Sequence, residues 1–204
     1  KKCVGMFALS LWDRQEKILH FARDRFGEKP LYYGWSGDDF LFGSDLASLK
    51  TFPSFSNNLC PRAIGLFLNY SYVPSPFCIY QNYFKVEPGQ IVSIKITSGI
   101  AKIHSCDYFW KLDKEIKKSK HKKFQTLEEG MHELHQSLLD SVRLQMISDV
   151  PIGAFLSGGI DSSLITAMMQ KQSMSPVKTF TIGFENQQFD ESPYAKKVAD
   201  FLGT

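Results

Sequence analysis

The sequence predicts an α/β protein in two parts, a β-rich first half and a second half in which strands and helices alternate. Three observations carry that prediction. Short apolar runs broken by polar turns fill residues 5–43 and 91–105, a pattern that reads as hairpins. From residue 126 the order becomes helix, strand, helix, strand, helix, which implies a parallel sheet with right-handed crossovers. Residues 157–163 read Ser-Gly-Gly-Ile-Asp-Ser-Ser at one of the strand-to-helix junctions.

Taken in order, residues 5–12 are an apolar run, 13–17 a polar turn and 18–22 a returning strand. Residues 31–35 and 40–43 flank Ser36-Gly37-Asp38-Asp39 and predict a second hairpin. Residues 45–50 are short and helix-like. Residues 61–69 predict a helix with Pro61 at its start, where the missing N–H costs nothing. Strands follow at 91–97 and 101–105, with Ser98-Gly99 as the turn between them.

In the second half, Thr126 and Glu129 form a capping box. Leu127, Met131, Leu134, Leu138 and Val142 trace one face of the helix that it opens. Residues 150–156 are apolar and uncharged, as for a strand covered on both faces. Leu164, Ile165, Ala167, Met168 and Met169 then continue with helical spacing to about Lys171. A turn at 172–176 leads to a second strand at 177–184. Ser192 reads as the N-cap and Pro193 as the first position of a last helix, which Gly203 ends.

The 157–163 junction carries legible chemistry. Backbone N–H groups and the positive end of a helix dipole converge there. Gly158 and Gly159 allow positive φ and close approach to a bulky anion, and Ser157, Ser162 and Ser163 add hydroxyl donors. Asp161 would repel a bare phosphate, and makes sense with a divalent cation, Mg²⁺ above all, between carboxylate and phosphates. The Walker lysine is absent. The plainer alternative is a Gly/Ser turn capping a helix, with Asp161 complementing the dipole.

The chain has 204 residues, of which 43% are hydrophobic, enough for one or two cored domains. The net charge of +3 is mild and does not suggest a nucleic-acid partner, and most of the excess sits in one place. Lys114, Lys117, Lys118, Lys120, Lys122 and Lys123 face only Glu115, and read as a solvated linker. His132 and His135 lie one turn apart without further ligands, and read as exposed helix histidines. Cys3, Cys60, Cys78 and Cys106 are scattered, with no zinc spacing, and fit reduced thiols in a cytoplasm. No apolar run is long enough to cross a membrane, and no signal peptide is expected.

Ser157-Gly158-Gly159-x-Asp161-Ser162-Ser163 resembles the pyrophosphate (PP) loop of the ATP pyrophosphatases, among them the asparagine, GMP, NAD and argininosuccinate synthetases. The resemblance implies a parallel-sheet α/β PP-loop domain of the adenine nucleotide α-hydrolase-like type. It also implies ATP and Mg²⁺ as cofactors, ATP cleavage between the α and β phosphates, and Asp161 as the metal ligand. By position Leu156 and Ile182 would line the adenosine pocket, a role compatible with ordinary core strand residues. Glu185, Asp190 and Glu191 could approach the metal or merely solvate a loop.

The first half resembles the later part of a class II glutamine amidotransferase domain. The string Gly5-Met6-Phe7-Ala8, Trp12-Asp13, residues 22–33 (Ala-Arg-Asp-Arg-Phe-Gly-Glu-Lys-Pro-Leu-Tyr-Tyr) and Phe42-Gly43-Ser44-Asp45 is closest to the glutamine-hydrolysing asparagine synthetase family. Asp45 replaces the usual Glu, and Glu28 occupies a position often apolar. Arg23-Asp24 alone could equally be a surface ion pair or a functional one.

The implied fold is a β-rich Ntn-hydrolase-type (αββα) partial domain over residues 1–112. A Lys-rich linker at 113–125 and the first part of the synthetase domain at 126–204 would follow. The family's nucleophile is an N-terminal Cys whose own α-amine is the base, so no catalytic residue is assignable. Cys3 is expected to be a small buried hydrophobe. The chain reads as an internal fragment, inactive by itself, of a ligase acting on ATP, aspartate and glutamine. A homodimer would be in keeping with the family.

Three rivals remain at this stage. One is an amide synthetase acting on another carboxylate, of the β-lactam synthetase-like, peptide-cyclising or polysaccharide-modifying kind. Another is a degenerate ATP-binding homologue without turnover, which the intact loop with Asp161 argues against. The third is a GMP- or NAD-synthetase-type enzyme, which the amidotransferase-like string argues against.

Overall fold

The computed structural model describes residues 3–119 and 123–204, which fall into two compact units, Lys1–Lys122 and Lys123–Thr204. Lys1, Lys2, Lys120 and Lys122 lie outside the described residues. Among the described residues no helix is long and apolar enough to cross a membrane.

The first unit runs β1 (Ala8–Asp13), β2 (Ile18–Arg23), β3 (Tyr32–Ser36), β4 (Asp39–Gly43), α1 (Leu46–Lys50) and α2 (Pro61–Tyr70). It continues with β5 (Tyr83–Lys85), β6 (Gln90–Thr97), β7 (Ile100–Tyr108) and α3 (Leu112–Ser119). One antiparallel sheet has the order β1-β2-β6-β7 and a second the order β4-β3-β5. Period-two alternation aims Leu19 and Phe21 of β2 to the same side as their partners Ile94 and Val92 of β6. These four join Leu31, Tyr33, Val86 and Ala101 in one buried cluster that glues the two sheets together. Burial of each large side chain contributes about 1.5–3 kcal/mol. The Trp35 Nε1–H donates to the Ala101 carbonyl at 2.9 Å and pins the sheets in register. The opposite face of the smaller sheet packs Leu41 and Tyr83 on Leu49, Phe55 and Cys78.

Both expected hairpins form. The β6–β7 turn has Ser98 at φ 52° and Gly99 at φ 80°, the double left-handed geometry that a two-residue hairpin demands. β5 escaped the sequence reading because three residues are too few to show alternation. Residues 112–119, most of which fall within the expected linker, are helical. Asp113 and Glu115 at the start and Lys117 and Lys118 at the end complement the dipole, and no residue of α3 is buried.

Arg23 and Asp24 are not a surface pair. Both are buried, and each is spent on backbone. The Asp24 carboxylate accepts N–H bonds from Phe7 (3.3 Å), Phe26 (3.1 Å), Glu28 (2.9 Å) and Lys29 (3.0 Å). The Arg23 guanidinium donates to the carbonyls of Lys29 (2.8 Å), Val86 (2.7 Å) and Gly27. Together they fold residues 24–30 into one fixed loop. Cys3 also departs from expectation, being exposed rather than buried, and its carbonyl accepts from Arg25.

The second unit runs α4 (Leu127–Gln145), β8 (Gly153–Phe155), α5 (Ile160–Gln172), β9 (Lys178–Phe180) and α6 (Ser192–Leu202). Strands β8 and β9 pair in parallel, with Ala154 opposite Thr179. Val142, Met168, Met169 and Val177 form the core. The Thr126 Oγ1 accepts the Glu129 N–H at 3.1 Å, while the Glu129 carboxylate reaches back to the Gln125 N–H at 2.8 Å. The box is thus shifted by one residue on its return side.

Four expectations need correction here. The strands are three residues each, shorter than 150–156 and 177–184, and Phe155 is 82% exposed rather than covered. A two-stranded ribbon has no layer on that face. On α4 the predicted stripe engages only at its C-terminal end, through Leu138 and Val142, while Leu127, Met131 and Leu134 are exposed. His132 is exposed but His135 is half-buried. The last helix is capped at Glu191 rather than Ser192, and Gly203 ends it in the left-handed conformation.

Candidate functional site

The residues singled out at the β8–α5 junction come together as one loop. Gly158 sits at φ 83°. A Cβ there would stand 2.7 Å from the Ala195 nitrogen and 2.8 Å from the Tyr194 carbonyl carbon at the start of α6. Glycine is therefore demanded both by dihedral and by packing. Gly159 differs from expectation: its φ of −71° is open to any residue, and its role is to be an N-cap without a side chain. The first intrahelical bond of α5 runs from the Ser163 N–H to the Gly159 carbonyl at 3.0 Å. The N–H groups of Ile160, Asp161 and Ser162 precede it, and no capping side chain takes them.

The serines divide their work. The Ser157 and Ser162 hydroxyls lie 2.9 Å apart, and Ser162 Oγ also accepts the Ser157 N–H at 3.2 Å. The Ser157 Oγ accepts from the Gly159 N–H at 3.3 Å. These two hydroxyls thus shape the loop rather than stand free for a ligand. The Ser163 hydroxyl is buried and has no partner among the described residues. The Asp161 side chain is exposed in the first turn of α5, on the wall of a cavity of ≈ 470 Å³ between α4, β8 and α5.

Leu156, Ser157, Ser162 and Ile182 border a second cavity, of ≈ 360 Å³, at the carboxyl ends of β8 and β9. Leu156 is buried at 2%, whereas Ile182 is 69% exposed. Two clamps hold this edge that the sequence did not signal. The Leu156 N–H donates to the Phe180 carbonyl at 2.9 Å, and the Thr181 hydroxyl donates to the Leu156 carbonyl at 2.6 Å. Both need the strand pairing to become visible.

Of the three acidic residues after the strand, Asp190 is engaged within its loop. Its Oδ1 accepts from the Ser192 N–H (3.1 Å) and the Phe184 N–H (3.4 Å). The Ser192 side chain and N–H hold its carboxyl below the ordinary range. Among the described residues no cluster of His, Cys, Asp or Glu is arranged to hold a metal unaided.

Comparison with known proteins adds the family. The model described as Glutamine amidotransferase domain matches residues 1–109, and the one described as Asparagine synthase matches residues 133–204. Asparagine synthetase (glutamine-hydrolyzing) 1 of Bacillus subtilis is 37% identical over 203 residues, covering 99% of this chain and 30% of its own length. A Methanocaldococcus jannaschii protein, provisionally named asparagine synthetase (glutamine-hydrolyzing) 2, is 36% identical over 207 residues, covering 100% of this chain and 38% of its own. Amidase chry2 of Gibberella zeae is 31% identical over 214 residues, covering 98% of this chain and 30% of its own. The chain thus spans about a third of the length of these relatives. It belongs to the glutamine amidotransferase family, in the group whose amidotransferase domain is followed by an asparagine synthase segment.

Proposed function

We propose that this chain is part of a glutamine-dependent asparagine synthetase, a ligase that turns ATP, aspartate, glutamine and water into AMP, pyrophosphate, asparagine and glutamate. The observation that carries the reading is the 157–163 loop, with a left-handed Gly158 and an uncapped helix start, in a chain whose first half is an amidotransferase domain. The first half is read as the Ntn-type domain over 1–112, and 126–204 as the start of a parallel-sheet PP-loop domain after a linker at 113–125. The name Asparagine synthase for the matching family model favours aspartate over other carboxylates.

A carboxylate is a poor electrophile until it is activated. In the proposed reaction the aspartate β-carboxylate attacks the α-phosphorus of ATP, forming β-aspartyl-AMP as pyrophosphate leaves. Ammonia released from glutamine then displaces AMP. The free N–H groups of Ile160, Asp161 and Ser162 and the α5 dipole are aimed at the departing pyrophosphate and stabilise its growing charge. Ser157 and Ser162 keep the loop in shape, Gly158 and Gly159 keep it open, and Ser163 holds an unspent hydroxyl. Leu156 and Ile182 flank the adenosine.

An exposed Asp161 carboxylate beside an anion site fits Mg²⁺, which would supply neutralising charge when bound. The four free thiols suit a cytoplasmic enzyme, which we read as homodimeric in keeping with its family and as acting on small molecules rather than nucleic acid.

The test is Asp161→Asn in the intact protein. Aspartate-dependent pyrophosphate release should fall on the order of a hundredfold, because the metal that neutralises the leaving group is loosened. Glutaminase activity should survive. Equal loss of both activities in a folded variant, or pyrophosphate release driven by a different carboxylate and not by aspartate, would overturn the reading.

A further inference from the structure

The first unit holds a cavity of ≈ 510 Å³ beside the Arg23-Asp24 loop, lined by no residue of the 157–163 site. Its wall carries two cations. Arg23 is buried, and its guanidinium is oriented by backbone carbonyls, with only a long 3.5 Å contact from Nη1 to the Ser75 hydroxyl facing the space. Lys85 is half-buried. Its ammonium gives one N–H to the Val73 carbonyl, lies 5.9 Å from the centroid of the Tyr32 ring, and keeps two donors free. Among the described residues neither cation forms an ion pair.

The one carboxylate lining the cavity is Glu87, and its Oε1 accepts the Tyr108 O–H at 2.8 Å. The wall therefore carries one net positive charge. Burial holds the Lys85 ammonium below its ordinary value; Cys78 opposes it, and the like charge of Arg23 adds a smaller push in the same direction as burial. Two partly desolvated cations lining one cavity are unfavourable, and an anion bound there offsets that cost. The single net charge suits a monoanion better than a phosphate dianion. Pro30, Pro74, Pro88 and the rings of Tyr32 and Tyr72 complete the wall. These residues give an otherwise polar wall an apolar part, against which an organic body can lie beside the charges.

We propose that this cavity binds a small organic monocarboxylate, with its carboxylate on Lys85 and Arg23 and its apolar body against the proline and tyrosine walls. Arg23, already spent on carbonyls, contributes charge rather than a fork. Lys85 contributes the hydrogen bonds and is the residue on which affinity depends.

The experiment is a titration of the chain with benzoate, followed through the side-chain resonances of ¹³C-labelled lysines, with inorganic phosphate as a second probe. Benzoate should shift Lys85 saturably and leave the exposed Lys118 unmoved. Lys85→Gln should weaken binding about tenfold or more, the loss of a charge-assisted hydrogen bond, and Lys85→Arg should largely restore it. Absence of a saturable Lys85 shift, unchanged affinity in Lys85→Gln, or phosphate binding more tightly than benzoate would each overturn the proposal. If Lys85→Gln does not fold, the wild-type shift map and Lys85→Arg decide the matter.

Discussion

Gly158→Ala gives the most direct access to the loop. At φ 83° an alanine pays the left-handed penalty of about 1–2 kcal/mol. Its Cβ would also press on the Tyr194 and Ala195 backbone at 2.7–2.8 Å, and main chain cannot swing aside as a side-chain tip can. Overpacking of this kind costs about 1–3 kcal/mol. The expected loss is therefore about 2–5 kcal/mol from a unit whose stability is of the same order.

The two units can be read separately in urea. Trp12, Trp35 and Trp110 all lie in the first unit, so tryptophan fluorescence follows that unit alone. Circular dichroism at 222 nm is weighted toward the long helices α4, α5 and α6. With a slope of about 1–3 kcal/mol/M, the dichroism midpoint should fall by on the order of 1 M, while the fluorescence midpoint stays put. Gly159→Ala is the control. Its φ is ordinary, and the new Cβ would meet only the Ser157 hydroxyl at 3.3 Å, so its cost should stay below about 1 kcal/mol. A Gly158→Ala midpoint equal to wild type, or equal effects at the two glycines, would refute the loop geometry.

Other outcomes follow from the same structure. Asp24→Ala leaves several buried N–H groups without an acceptor and should cost about 2–4 kcal/mol in the fluorescence-detected transition, with Asp24→Asn intermediate. Burial raises the Asp24 carboxyl, but the N–H donors of Lys29, Glu28, Phe7 and Gly27 outweigh it and hold the group below the usual range. That stability is present above pH about 4 and is lost as pH falls through the folded value, so the acid limb should flatten in Asp24→Asn. Cys3 and Cys106 are exposed and should alkylate in the native chain, whereas Cys78, at 2% exposure, should react only on unfolding, as read by mass spectrometry. Ser98→Asn, at a left-handed turn position, should raise the fluorescence midpoint by a few tenths of a kcal/mol, roughly the preference of such turns for Asn-Gly.

Much of this protein is legible in one dimension because the signals are local. Hairpin turns, the Thr126 cap, Pro61 at a helix start and the 157–163 heptapeptide each depend on residues within a few positions of one another. Their physics is dihedral preference and short-range hydrogen bonding, which neighbours in sequence suffice to express. The sequence likewise sufficed to point to an amidotransferase segment followed by an ATP-pyrophosphatase loop, since both motifs are contiguous strings.

Tertiary structure decided what contiguous strings cannot express. Arg23-Asp24 looks like any surface pair until residues 7, 27–29 and 86 fold around it and supply the backbone partners that bury it. Gly158 is exceptional and Gly159 ordinary because α6, more than thirty residues away, packs against only one of them. Ser157 and Ser162 turn inward on each other, which their spacing alone did not reveal. The apolar face of Leu127, Met131 and Leu134 and the run at 150–155 announced burial, yet those three side chains, Val150, Ile152 and Phe155 stay exposed. Hydrophobicity records that a face needs a partner, and only the fold shows whether one is there.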